Sequence, residues 1–184
     1  KDWQSYVVNA LYFKGSWAKK FESKSTKTED FAGVTCKRKV QMMHNYDNYN
    51  YCEYGGFEAI ELPYGNGDYV MTVMISKSED RLSPEVMSGI VSAMKKEYIS
   101  LGFPKFETET DISEFPISLV KFDSFRHVAK INVDEEGTEA AAVTIIGDAT
   151  AAPQEPKELV FNQPFYYVIT QKTTGIILFV GYYC

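Results

Sequence analysis

The sequence predicts an α+β fold dominated by antiparallel and mixed β-sheet, with few helices. Three observations carry that expectation. Aromatic residues make up 15% of the 184-residue chain, with 13 Tyr and 12 Phe, and such side chains suit pleated, half-buried surfaces. Most apolar residues fall in short runs rich in β-formers, separated by turn signals. A helical period stands out in a single stretch. Apolar residues reach 45%, enough for a core, and neither repeats, heptads nor a second-domain boundary can be seen.

The elements follow in order. Tyr6 to Phe13 (YVVNALYF) is an almost wholly apolar run broken by Asn9, the pattern of a strand covered on both faces. Gly15 and Trp17 end it. The polar stretch from Ser23 to Gly33 reads as a connection into a strand around Lys37 to Met43. Tyr46 to Tyr54 alternates aromatic and polar residues without fixing a register. Ala59 to Leu62 and Tyr69 to Ile75 flank Asn66-Gly67, whose tolerance of positive φ predicts a β-hairpin. Ser83-Pro84-Glu85 predicts a helix start, with a capping hydroxyl, a preset first turn and an acid against the dipole. Val86, Met87, Ile90, Val91, Met94 and Tyr98 continue at helical spacing, and Lys95 and Lys96 suit the C-terminal end. Strands are expected at Leu101 to Glu107, Ile117 to Phe125 and Val128 to Val133. A Gly- and Ala-bearing stretch runs from Glu135 to Pro156. Phe165 to Thr170 and Ile176 to Val180 close the chain as a hairpin around Gly175.

Several function classes find no support. The net charge of -6 argues against nucleic acid, whose phosphates require clustered Lys and Arg. No apolar run approaches the length of a membrane span. The chain has two histidines, His44 and His127, and lacks HExxH, CxxC, a Walker loop or a G-x-S-x-G elbow. If Asp134 to Glu136 is extended, Glu135 and Glu136 face opposite ways and form no acid–base pair. Nothing points to an enzyme, a cofactor or a metal. Cys36, Cys52 and Cys184 match no metal spacing; they read as free thiols, with a Cys36–Cys52 bridge as the alternative. Lys1-Asp2-Trp3 carries no signal-peptide pattern, and the abrupt start reads as a fragment.

Gly137 to Thr144 reads two ways. Thr-Glu-Ala-Ala-Ala has high helix propensity. As a strand, it would put the small, uncharged Thr138, Ala140, Ala142 and Thr144 on one face, and Glu139, Ala141 and Val143 on the other. The first face could join a packed layer without burying a charge, and Gly137 would let the chain pivot.

Four segments together resemble the serpin family. They are Val8 to Trp17 (VNALYFKGSW) with Phe21, Val40-Gln41-Met42-Met43, Glu61-Leu62-Pro63-Tyr64, and the most specific, His127 followed by Asp134 to Thr144 (DEEGTEAAAVT). Pro164-Phe165 and Leu178-Phe179-Val180-Gly181 match the closing strands. The resemblance implies the C-terminal part of a single serpin domain over 1–184 and a partial, serpin-like fold, with a reactive-centre loop at about 135–156. It implies a monomeric suicide inhibitor that traps a serine protease as a covalent acyl-enzyme, inserts the cleaved loop into its main sheet, and can polymerise by loop–sheet exchange. It also implies an extracellular or periplasmic location, with the signal region outside this chain. The hinge would comprise Glu135, Glu136, Gly137, Thr138, Glu139, Ala140, Ala141 and Ala142. Family spacing puts the reactive bond at Ala151-Ala152, with Thr150-Ala151 as the competitor. The small residues there suit an elastase-like or subtilisin-like protease. Asn9 and His127 would latch the sheet, and Trp17, Lys105 and Glu135 would mark where the loop enters it. The alternative is a non-inhibitory or inactive truncated serpin acting as a binding protein.

Overall fold

The structure, a computed structural model, describes residues 6–78, 81–112, 124–138 and 155–184. The described residues form thirteen strands, one α-helix and a short 3-10 turn, Ser23–Ser25. The strands are β1 (Tyr6–Tyr12), β2 (Gly15–Ser16), β3 (Lys27–Ala32), β4 (Lys37–Tyr54), β5 (Phe57–Tyr64), β6 (Tyr69–Ser76), β7 (Lys95–Pro104), β8 (Phe106–Ile112), β9 (Ser124–Val133), β10 (Gly137–Thr138), β11 (Lys157–Val160), β12 (Phe165–Gln171) and β13 (Ile177–Tyr183); the helix, α1, is Pro84–Ala93.

A large mixed sheet has the order β11-β7-β4-β5-β6-β12-β13, with β3 paired to β4. Its spine is β4, whose 18 residues pair with β7 from Met42 to Tyr51 and with β5 from Asn50 to Tyr54. The alternating segment Tyr46 to Tyr54 thus gains a register by serving two neighbours. A second sheet has the order β1-β9-β8, with β1 and β9 parallel and β8 and β9 antiparallel. Between the sheets lies an aromatic core that includes Phe31, Phe103, Phe106, Phe161, Phe165 and Tyr167. The rings meet mainly edge to face, as for Phe103 and Phe106 at 5.9 Å and 88°, the arrangement that ring quadrupoles prefer. The opposite face of the large sheet carries α1, whose Ile90 packs with Cys52, Phe57, Ala59, Met74 and Val168.

The structure corrects the expected elements in three places. The helix stops at Ala93 and does not reach Tyr98, because Met94 turns extended (φ -56°, ψ 132°) and Lys95 to Pro104 makes a ten-residue ladder with β4. Its start matches the sequence reading: Ser83 Oγ accepts from Val86 N at 3.3 Å, with Pro84 in the first turn. The expected strand Leu101 to Glu107 is divided at Lys105, since β7 and β8 belong to different sheets. The polar connection Ser23 to Gly33 holds the edge strand β3, which reaches the core only through Phe31. The hairpin of β5 and β6 turns at Gly65 and Gly67 with φ of 48° and 92°. Val128 to Val133 belongs to β9, which begins at Ser124; residues 117–123 of the other expected strand lie outside the described residues. All three cysteines are free thiols, Cys52 buried and Cys36 and Cys184 exposed.

Candidate functional site

The segment between β9 and β10 lies at the mouth of the three-stranded sheet. Asp134 to Gly137 forms a tight turn: Asp134 N donates to Gly137 O at 3.0 Å and Gly137 N to Asp134 O at 3.3 Å. Asp134 Oδ1 accepts from Glu136 N (2.9 Å) and Gly137 N (3.2 Å), the local bonding that makes Asp a turn former. This corrects the extended reading of Asp134 to Glu136. The chain reverses, and Gly137 and Thr138 lie antiparallel on Ser16 and Gly15.

Gly137 is required where it stands. Its φ is +133°, and an added Cβ would sit 2.3 Å from Gly15 O, 2.6 Å from Ser16 Cα and 2.6 Å from Trp17 N. All three are backbone atoms, which cannot swing aside as a flexible side chain can.

The receiving segment is held on both sides. Trp17 N donates to Glu136 O and Phe21 N to Glu135 O, each at 2.9 Å. On the other side Ala18 N donates to Pro63 O and Gly65 N to Ser16 O, each at 2.8 Å. Trp17 is 4% exposed. Its ring stacks on Tyr64 at 4.4 Å and 17°, and its Nε1 donates to Asp134 O at 2.9 Å. One indole therefore touches the turn and the hairpin at once.

The two adjacent glutamates serve different cations. Glu135 is buried, 9% exposed; Lys105 Nζ lies 2.6 Å from its Oε2 and Thr26 Oγ1 donates to its Oε1 at 2.8 Å. Burial opposes its ionisation, but the bonds from Lys105 and Thr26 prevail and hold the carboxyl below the usual range. Glu136 pairs with Lys20. The carboxylates share no site, so they cannot work as an acid–base couple.

β1 and β9 run side by side as a parallel ladder from Tyr6 opposite Ser124 to Tyr12 opposite Lys130. Beyond that point β9 continues to Val133, paired with β8 alone. Asn9 and His127 are register partners in the ladder; their side chains lie outside the described ones. Glu139, Ala140, Ala141, Ala142, Thr150, Ala151 and Ala152 also lie outside the described residues. The chain resumes in β11, a four-residue strand parallel to β7. There Lys157 pairs with Glu53 and lies over the Tyr51 ring at 4.5 Å. Hydrogen bonds from Lys157, then Lys77, bring the Glu53 carboxyl down to about 2.

Of the residues expected where the loop enters the sheet, Lys105 and Glu135 meet directly and Trp17 caps the same turn. Lys20, Thr26 and Asp134 take part without having been foreseen. Only Asp134 carried a readable signal, as Asp first and Gly fourth mark a turn; the other two lie more than a hundred positions away in sequence.

The comparisons agree with this geometry. The family model "Serpin (serine protease inhibitor)" matches residues 1–120 and 110–184. Human Serpin B3 is 30% identical over 210 residues, covering 95% of this chain and 54% of that protein. Serpin-Z1 of Arabidopsis thaliana is 30% identical over 198 residues, covering 95% and 51%. The structure of a tumour suppressing serpin is 26% identical with a TM-score of 0.79, covering 97% of this chain and 56% of that one. A serpin from the trematode Schistosoma haematobium, at 20% identity and a TM-score of 0.80, covers 96% and 55% and shares the fold. The chain spans about half the length of the curated relatives it matches. No helix among the described residues is long and apolar enough to cross a membrane. With a family match along its whole length and a partial serpin fold, the chain belongs to the serpins, a family of protease inhibitors rather than enzymes.

Proposed function

We propose that this chain contributes the reactive loop and the receiving sheet of a serine protease inhibitor that works by loop insertion. One observation supports this reading above the others: β1 and β9 are parallel neighbours, and Gly137–Thr138, which leaves β9 through the turn, runs antiparallel on β2, the short strand that follows β1. An antiparallel strand entering between two parallel ones replaces one parallel ladder by two antiparallel ladders, the more stable pairing per residue. The turn at Asp134 to Gly137 starts β10 in the direction that insertion would need. Small residues Ala140 and Ala142 then follow Thr138 along the face that would turn inward.

In this reading the hydroxyl oxygen of a protease serine attacks the Ala151 carbonyl carbon. The Ala151–Ala152 C–N bond breaks, the serine proton leaves with the new amine of Ala152, and Ala151 remains as an ester on the enzyme. Insertion of the upstream strand carries the enzyme away before water can hydrolyse the ester. Glu139 stays on the solvent side, Asn9 and His127 latch β1 to β9, and the Lys105–Glu135 pair restrains the loop until cleavage. Ala149 to Ala152 suits a protease with a shallow specificity pocket, elastase-like or subtilisin-like.

The test is incubation of the intact protein with an elastase-like protease, followed by denaturing electrophoresis and mass determination of the released peptide. An SDS-stable complex with release beginning at Ala152 is expected, as is a marked rise in melting temperature after nicking in the loop. Cleavage with no complex and no rise would overturn the proposal.

A further inference from the structure

The segment that carries Trp17 to Phe21 presents a second face, away from the turn, and that face walls a cleft of about 950 Å3. Sites that enclose most of a drug-sized molecule run from about 300 to 1,000 Å3. The floor is apolar and closely packed: Trp17, Phe21, Tyr49 and Leu62 are 4%, 5%, 5% and 3% exposed. The rim carries both signs: Glu22 lines it, Lys19 is paired with Asp47, and Lys20 with Glu136. Lys172 is already matched, with its Nζ 2.9 Å from Glu61 Oε2. Lys96 is not: its ammonium meets only the Asn48 carbonyl oxygen at 3.4 Å, and among the described residues it makes no ion pair. An aromatic floor below a cation without a counter-ion is the complement of a flat apolar body bearing one acid.

We propose that this cleft binds an amphiphilic organic anion, its ring system on Trp17 and Tyr49 and its carboxylate or sulfonate on Lys96. The same site is coupled to the loop. Trp17 forms the cleft floor and also donates from its backbone N to Glu136 O and from its Nε1 to Asp134 O. A ligand pressed on the indole therefore has different contacts when the turn is seated and when it has lifted, which is the requirement for linkage between two sites. This coupling rests on the loop-insertion reading; the binding site does not.

The experiment uses 8-anilinonaphthalene-1-sulfonate as probe and the neutral N-phenyl-1-naphthylamine as its uncharged counterpart, on the full chain. One saturable sulfonate site is expected. Lys96→Gln should weaken it by about fivefold to tenfold, the effect of one charge-assisted contact at a half-open rim, while leaving the neutral compound's affinity and the melting temperature unchanged. Lys39→Gln, on the exposed pair with Asp30, should leave both affinities unchanged. Equal sulfonate affinity in Lys96→Gln and the parent, or the same loss with Lys39→Gln, would overturn the site. Saturation with the sulfonate should also change amide exchange at Trp17 and Gly137. Unaltered exchange there would overturn the coupling, and because neither readout requires a protease, both are separable from failure of the inhibitor reading.

Discussion

Replacing Gly137 by alanine is the sharpest probe of how the loop base is seated. At φ +133° a residue with a Cβ carries strain of about 1–3 kcal/mol. The Cβ would also lie within 2.3–2.6 Å of three backbone atoms of Gly15, Ser16 and Trp17, closer than real contacts permit, so β10 must separate from β2. Separation removes that two-residue pairing and strains the adjoining bond from Trp17 N to Glu136 O, each hydrogen bond contributing about 1 kcal/mol net. The local penalty comes to about 2–4 kcal/mol, or an opening constant raised by about thirtyfold to several hundredfold. Hydrogen exchange measures this directly: the amides of Trp17 and Phe21 should lose protection by that factor while those of Met71 and Val73, deep in β6, should not. Gly175→Ala is the control. Its φ is +70° but no heavy atom lies within 4 Å of the added carbon, so it should cost only about 1–2 kcal/mol of global stability and leave the loop base alone. If Gly137→Ala retains protection at Trp17, or if Gly175→Ala disturbs it equally, the steric argument for the seated turn is wrong. Under the proposed mechanism, the same Gly137→Ala protein should be cleaved as a substrate more often than it traps its target.

Two further outcomes follow from the site and the core. Lys105→Ala leaves the Glu135 carboxylate with only Thr26 and backbone donors, and should destabilise the loop base by about 1–2 kcal/mol at neutral pH, Lys105 being partly solvated. Since Glu135 is held below its ordinary value, its contribution is present above the unfolded carboxyl range and is lost as pH falls through the folded value. The variant should therefore show a flatter acid limb in its stability curve and faster spontaneous insertion or polymerisation; an unchanged acid limb and unchanged rates would count against the restraint. Among the thiols, Cys36 and Cys184 should react promptly with a disulfide reagent. Cys52 should react only as fast as the fold opens: its Sγ donates to Ile90 O at 3.5 Å, and burial, then Glu61, pushes its thiol up.

The parts of this fold legible in the sequence were those encoded locally. Asn66-Gly67 announced the hairpin, and Ser83-Pro84 announced the helix start, because turn and cap chemistry act over a few residues. The helix end was hidden because Met94 and Tyr98 continue the helical spacing while Ile99, Leu101 and Phe103, all fully buried, begin a period of two. The long ladder with β4 decides between the two patterns, and that partner lies some fifty residues away. β3 was missed for a related reason: Lys27, Thr28, Glu29 and Asp30 read as solvent-loving, yet a sheet edge needs only backbone pairing and one anchor, here Phe31. At the loop base, Trp17, Lys105 and Glu135 were named through a family resemblance, while Gly137 was also legible from its own backbone freedom. The roles of Lys20 and Thr26 depend on tertiary approach, which no local pattern encodes.

Lys105 is the single residue between β7, in the large sheet, and β8, in the small one. Its amide is fixed to Gln41 O at 2.8 Å and its ammonium holds Glu135. With one residue of slack, the small sheet cannot slide relative to the large one at this corner. Under the proposed mechanism, widening to admit a strand would proceed by displacing β1, on the far side of β9, whose link to β2 runs through Phe13 and Lys14. In that mechanism the corner would be a fixed jamb and the outer parallel strand the moving leaf.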